Sequence, residues 1–143
     1  MSLDFAPAIR AALMADVAIT GLLTEWNGEA AIFTRRPVPT NAVNPIIVVS
    51  PDVSITDIDA LVSRRPVVVR DIIVYGDQPD HYRSVEVLGY LIREMFHRQR
   101  LSISPADYQV IDIIATGPRP APTDDNTTVA RVVTLTITAR YAP

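Results

Sequence analysis

Residues 127–141 read Thr-Thr-Val-Ala-Arg-Val-Val-Thr-Leu-Thr-Ile-Thr-Ala-Arg-Tyr. Within this run Val133, Leu135, Ile137, Ala139 and Tyr141 fall on one side, and Thr134, Thr136, Thr138 and Arg140 on the other. A period of two in β-branched residues predicts a strand with one buried face. Just upstream, Tyr108 to Ala115 is apolar on both faces. The two predict an antiparallel hairpin, joined by the turn-rich stretch Gly117 to Asn126.

Further upstream the period changes. From Asp80 to Arg98, Tyr82, Val85, Leu88, Ile92, Met95 and Phe96 form one apolar stripe, while Arg83, Glu86, Arg93, Glu94 and His97 lie elsewhere. This spacing predicts a helix with one face on a core. Pro79 before it and Arg98 and Arg100 after it match the polarity of helix ends. Pro66 to Tyr75 predicts a strand covered on both faces, with Val67, Val69, Ile73 and Tyr75 on one and Val68, Ile72 and Val74 on the other. Ile46 to Ser50 predicts a short buried strand ended by Pro51. Residues 51–65 fit neither period and are expected to form an excursion, part strand or short helix. Residues 24–45 read as irregular, with a turn at Asn27-Gly28 and a short strand within Ala30 to Thr34. Residues 3–23 read as helical, with Asp4 and Asp16 as caps and a break near Ala15-Asp16. The fold class expected is α+β: a mostly antiparallel sheet, one long helix packed on one face, and an N-terminal helix. All 143 residues are expected to form a single domain.

Composition removes several chemistries. The chain has no cysteine, which excludes disulfides, thiolate metal sites and cysteine nucleophiles. No apolar run approaches the ~20 residues needed to cross a bilayer, and no membrane partner is expected. The opening Met-Ser-Leu-Asp lacks the positive start of a secretion signal. The net charge of −3 argues against a surface that grips nucleic acid. All 13 basic residues are arginine. Arginine suits bidentate pairing at subunit boundaries, and a GC-rich genome gives the same bias.

Nothing resembles a catalytic constellation, and no enzyme activity and no cofactor are expected. His81 and His97 lie on one predicted helix, roughly 24 Å apart at a rise of 1.5 Å per residue, too far to share a metal. His97, near the helix end, is expected to meet the terminal carbonyls. Asp57 and Asp59, with Asp52 nearby, form an acidic group without the glycine and distal glutamate of a calcium loop, so no metal is assigned to them. The chain has no Gly-x-Ser-x-Gly elbow and no glycine-rich phosphate loop. Two arginine doublets remain, Arg35-Arg36 and Arg64-Arg65. Each reads either as salt-bridging across a subunit boundary or as exposed loop charge. Trp26, Ile32 and Phe33 read as core or as contact surface. The stretch Pro118-Arg-Pro-Ala-Pro122, which holds Arg119, reads as an extended segment offered to a partner or as a stiff connection.

The order of these elements is similar to that of a known family. The opening Met-Ser-Leu-Asp-Phe-Ala-Pro-Ala-Ile-Arg-Ala-Ala-Leu-Met-Ala-Asp-Val-Ala-Ile-Thr-Gly-Leu-Leu resembles the first helix of the tail terminator, or tail-completion, proteins of long-tailed siphophages. Asn44-Pro-Ile-Ile-Val-Val-Ser50 follows, then the Arg-flanked strand Arg65 to Tyr75. The long helix comes after the acidic turn at Asp77 to Asp80, and the chain closes on Thr134-Leu-Thr-Ile-Thr-Ala-Arg-Tyr141. The likeness covers nearly the whole chain, without a signature motif, and leaves 51–65 and 118–122 unmatched.

The resemblance implies a structural virion protein. Such a protein assembles as a ring, usually a hexamer, on the finished tail tube. It ends tube polymerisation and presents the docking surface for head-completion or connector proteins. Its expected partners are copies of itself, the tail tube protein and the head-completion protein. Its expected location is the head-proximal end of the tail, after assembly in the host cytoplasm. A stopper or adaptor of the head–tail connector is the nearest alternative, and a small ligand-binding α+β domain a more distant one. A globule of this length has a radius of gyration of ~14–15 Å, so six in contact leave a hole about one subunit wide. DNA would pass through it without specific binding, so a neutral or acidic lumen is expected. Candidate interface residues are Arg35, Arg36, Arg64, Arg65 and Arg119, with Asp52, Asp57 and Asp59 as acidic counterparts on a neighbour.

Overall fold

A computed structural model describes residues 5–34, 38–39, 42–59, 64–78, 80–99, 108–121, 123 and 127–141, with backbone alone for 51–59, 64 and 141. The chain begins with helix α1 (Ala6–Ala15) and a single turn α2 (Val17–Thr20). The break between them falls at Asp16, whose carboxylate accepts the N–H groups of Ala18 at 2.9 Å and Ile19 at 3.2 Å. That is the N-cap expected there. Asp4, the other expected cap, lies outside the described residues. Strands β1 (Glu25–Trp26) and β2 (Glu29–Ala30) then form a tight antiparallel pair. Asn27 and Gly28 join them, both at positive φ (51° and 80°), as a two-residue hairpin turn requires.

The main sheet has five strands in the order β3-β4-β5-β7-β6. They are β3 (Ile32–Phe33), β4 (Ile46–Asp59), β5 (Arg64–Asp77), β6 (Tyr108–Pro120) and β7 (Thr128–Tyr141). Every pairing is antiparallel except β3 with β4, which is parallel. Helix α3 (Tyr82–Phe96) runs between β5 and β6. The fold is α+β, as the alternating and helical periods predict. The central place of β5 accounts for its apolar residues on both faces.

One face of the sheet carries the main core. Val85, Leu88, Ile92 and Phe96 of α3, with Phe5, Ile9 and Leu13 at the α1 end, pack on Ile47, Val49, Val68, Ile72, Val133, Leu135 and Ile137. Burial of each such side chain contributes about 1.5–3 kcal/mol. On the opposite face, at the β3–β4 end, Ala31, Ile46 and Val48 make a smaller cluster with Trp26, Phe33, Val38 and Tyr75. Trp26 and Phe33 meet edge to face with centroids 5.4 Å apart. Within the chain, Trp26, Ile32 and Phe33 are therefore packing residues.

Three expectations need correction. Of the two readings of 51–65, strand is the one found: residues 51–59 and 64–65 continue the flanking strands, so the separate excursion expected between them is not one. Register shifts between Val49 and Asp52 and between Asp52 and Ser54 break the alternation, because each extra residue moves the following side chains to the other face. The connection after Ala115 is also shorter than expected, since β6 runs on to Pro120 after a shift between Thr116 and Arg119. His97 does not meet helix-end carbonyls: its Nδ1 accepts the N–H of Ala115 at 3.2 Å.

Pro118 explains a small residue in α3. A Cβ at Gly89 would lie 2.6 Å from Pro118 Cβ. Glycine at this buried helix position is what lets β6 approach so closely.

Candidate assembly surfaces

The fold gathers the predicted interface residues into one main group. Asp52, Asp57 and Asp59 lie on β4, and Arg64 and Arg65 begin β5. In the ladder, Asp59 stands opposite Arg64, Ile58 opposite Arg65 and Asp57 opposite Pro66. Acids and arginines assigned to different subunits thus face each other across one hairpin. Directly opposed charges on adjacent strands are close enough to interact, so Arg64 has an acidic register partner in its own chain, whereas Arg65 stands opposite Ile58. Arg65 is exposed. Arg35 and Arg36 lie outside the described residues.

The β5 register with β7 begins at Val67 opposite Thr138. Residues 57–59 and 64–66 therefore pair only with each other among the described contacts and form the far end of the hairpin. Arg70 anchors its base. Its side chain is 3% exposed, and its guanidinium donates to the Ser50 carbonyl at 2.8 Å. A buried arginine is rare unless its donors are satisfied. Here it braces β4 where the register slips. Sequence reasoning passed over Arg70, although a charge at an inward position of a Val/Ile strand was the available signal.

Arg119 lies apart from that group, on the face of the sheet opposite α3. Its guanidinium donates to Thr134 Oγ1 at 2.6 Å, and that hydroxyl donates to Asp71 at 2.7 Å. A second guanidinium nitrogen lies 4.0 Å from the same Asp71 oxygen. The row joins β6, β7 and β5 and leaves the arginine half exposed. Beyond Thr134, Thr136 and Thr138 continue an uncharged line along β7.

A surface not foreseen from sequence lies where α1 and α2 meet the β1–β2 turn. It is an open cleft of about 710 Å³. Met14, Val17 and Ala30 supply apolar wall, and Arg10, Glu25 and Glu29 supply charge. Arg10 divides this cleft from a smaller one of about 270 Å³ beside Trp26 and Phe33. It donates to the Ile32 carbonyl at 3.1 Å and to Glu29 at 2.9 Å. Val17 is 82% exposed, the most exposed large apolar side chain described.

Both histidines, and Glu86 with Arg131, are tied into the fold. Nδ1 of His81 accepts the Asp77 N–H at 3.1 Å, and Nδ1 of His97 accepts that of Ala115. Glu86 binds Arg131, whose guanidinium lies over the Tyr82 ring at 5.3 Å. Tyr82, placed in the apolar stripe by spacing, therefore sits at the rim of the helix packing. Among the described residues no group of three or more His, Asp or Glu side chains is arranged to hold a metal ion. No described helix is long and apolar enough to cross a membrane.

These features define an α+β protein built around a mixed five-stranded sheet, with charged hairpin and cleft surfaces. No family model matches the chain, and no curated protein matches it. Among solved structures, it shares its fold with a chain from the virion of a native gene transfer agent particle. The TM-score is 0.70 at 15% identity, over 96% of this chain and 94% of that one.

Proposed function

We propose that this chain is a structural virion protein that caps the completed tail tube of a phage-like particle as a ring of six. In that role it ends tube polymerisation and forms the surface on which head-completion proteins dock. The observation that carries the reading is the near end-to-end fold likeness to a chain of a virion particle. Element order, which resembles the tail terminators, narrows virion protein to terminator. On this reading the whole chain acts as one terminator-like domain, works by shape and packing, and performs no bond chemistry.

The hairpin of Asp57, Asp59, Arg64 and Arg65 supplies charge for subunit or tube contacts, as does Arg119, while Arg35 and Arg36 remain candidates from sequence. The uncharged row Thr134, Thr136 and Thr138 suits a surface past which DNA slides, since phosphate affinity grows with clustered cations. A ring whose lumen is dominated by arginine side chains would contradict that part.

The test is electron microscopy of tails assembled with and without the protein. Loss of a terminator gives over-long tubes and unattached capsids. Tubes of correct length with unattached capsids would favour a stopper or adaptor instead. Normal tails on attached capsids would end the proposal.

A further inference from the structure

We infer that the outer face of α3 pairs with the same face of a second copy of this chain, the two helices running antiparallel about a two-fold axis. The contact is separate from the ring reading above, and either can fail without the other.

Spacing sets the face. At about 100° per residue, Arg83, Val87, Tyr90 and Glu94 fall within an arc of roughly 60°. Val85, Leu88, Ile92 and Phe96, which hold the helix on the sheet, lie on the opposite side. Val87 is 40% exposed and Tyr90 59%. The stripe thus has an aliphatic residue and a tyrosine at its centre and a charge at each end, the pattern of an apolar contact with a polar rim.

The two charges run against their own helix. Arg83 is in the first turn, where the helix dipole disfavours a cation, and Glu94 is in the last, where it disfavours an anion. Arg83 is exposed and belongs to no ion pair among the described residues. Glu94 meets its neighbour Arg93 at 2.8 Å, and its side chain is 73% exposed. Local preference accounts for neither charge at its place.

An antiparallel partner accounts for both. Arg83 and Glu94 are equally far from the midpoint between residues 88 and 89, and so are Val87 and Tyr90. A two-fold axis at that midpoint sets Arg83 beside the partner's Glu94 and Val87 against the partner's Tyr90, each twice. Arg83 then lies at the C-terminal end of the partner's helix, and Glu94 at its N-terminal end, so the dipole across the contact favours both charges. This is the self-complementary arrangement of an isologous dimer. One helix face is a small surface, so the pair belongs to the weak class that buries less than about 1,200 Å².

The test uses the free chain. Sedimentation velocity from about 10 μM to about 1 mM should show a concentration-dependent monomer–dimer equilibrium. Arg83→Glu or Glu94→Arg alone sets like charges together twice in each pair. Either should weaken the dimer at least about fivefold, and the two together should restore most of it. Each reversal suits its own end of the helix, so circular dichroism should show no loss of thermal stability, and a lost dimer is then not a lost fold. The chain has no cysteine, which allows cross-linking from one introduced site. Along the axis, Val87→Cys stands roughly 4–5 Å from its own copy, and Arg83→Cys roughly 16–17 Å. A short bismaleimide should join the first into dimers and leave the second unjoined. A chain that stays monomeric at ~1 mM, a dimer indifferent to both reversals, a double reversal that restores nothing, or equal cross-linking at the two sites overturns the contact. Rings formed on tail tubes by a chain that never dimerises through α3 overturn this inference and leave the ring reading standing. An α3 dimer from a chain that never caps tubes does the reverse.

Discussion

Gly89→Ala gives a prediction in which the sign of the effect decides. Gly89 lies on the buried face of α3. In an ordinary helix interior, replacing glycine with alanine stabilises by about 0.5–1 kcal/mol. Here the added Cβ would stand 2.6 Å from Pro118 Cβ and 2.9 Å from its Cγ. Carbon atoms prefer about 3.5–4.0 Å. Pro118 cannot swing aside, because its ring is fused to the backbone of β6. On its other side Gly117 holds φ at +110°, and a Cβ there would meet the Val132 carbonyl at 2.6 Å, so the turn has little room to retreat. Overpacking of this kind costs about 1–3 kcal/mol. Set against the helix gain, Gly89→Ala should destabilise by about 0.5–2 kcal/mol and lower Tm by about 2–8 °C. Thermal and urea unfolding followed by circular dichroism would measure it, with an unchanged m-value as the check on two-state behaviour. Pro118→Gly removes both clashing atoms. In that background Gly89→Ala should turn neutral or stabilising, and the double-mutant cycle isolates the contact. A rise in Tm for Gly89→Ala alone would refute the claim that α3 and β6 are in contact at this point.

Other expectations follow from single contacts. Ile92→Ala, at a fully buried position under the sheet, should cost about 2–5 kcal/mol in urea unfolding. Asp16→Ala removes the acceptor of two backbone N–H groups and should cost about 0.5–2 kcal/mol, while Asp16→Asn should keep most of that stability. On the proposed reading, Arg64→Glu should impair ring formation or tail capping and leave the monomer folded, at a cost of no more than about 1 kcal/mol for setting an acid opposite Asp59; normal tails from this variant would remove Arg64 from the interface.

The elements with clean periods were legible. The alternation of Val133 to Tyr141, the stripe from Val85 to Phe96 and the two-sided run of Pro66 to Tyr75 each reported a different burial environment, and each became the element expected. Where the period broke, the reading broke with it. Two register shifts near Asp52 scrambled the alternation of 51–59, so a strand of 14 residues looked like a short strand and an excursion. Proline misled at the other end: Pro118 and Pro120 read as loop, yet an edge strand with a bulge tolerates them. His97 was misjudged because helix-end charge preference is a local rule, while its partner, Ala115, lies on a strand 18 positions away. The assembly surfaces divide along the same line. The hairpin charges were visible as arginine doublets and an Asp-x-Asp pair. The cleft was not, because it exists only where three short elements converge.

The edges of the sheet bear on how such a protein can associate. β6 is an edge strand of 13 residues, long enough to template the addition of strands from other copies. The structure occupies part of that edge. Arg98 donates its N–H to the Ile113 carbonyl at 2.7 Å, and Ala115 donates to His97 Nδ1 at 3.2 Å. The Arg98 guanidinium holds Asp112 at 2.6 Å. Arg98 reaches this position at φ +59°, a region that non-glycine residues enter at a cost. Pro118 and Pro120 have no N–H to offer. Strand addition is therefore opposed over the part of β6 from Ile113 to Pro120, while at the other end of the sheet β3 covers β4 only at Ile47 and Val48. A contact between unlike patches closes into a ring only when the angle between them is fixed. The hairpin gains that fixed direction from β5, which is paired on both sides from Val67 through Ile73, and from Arg70 at its base.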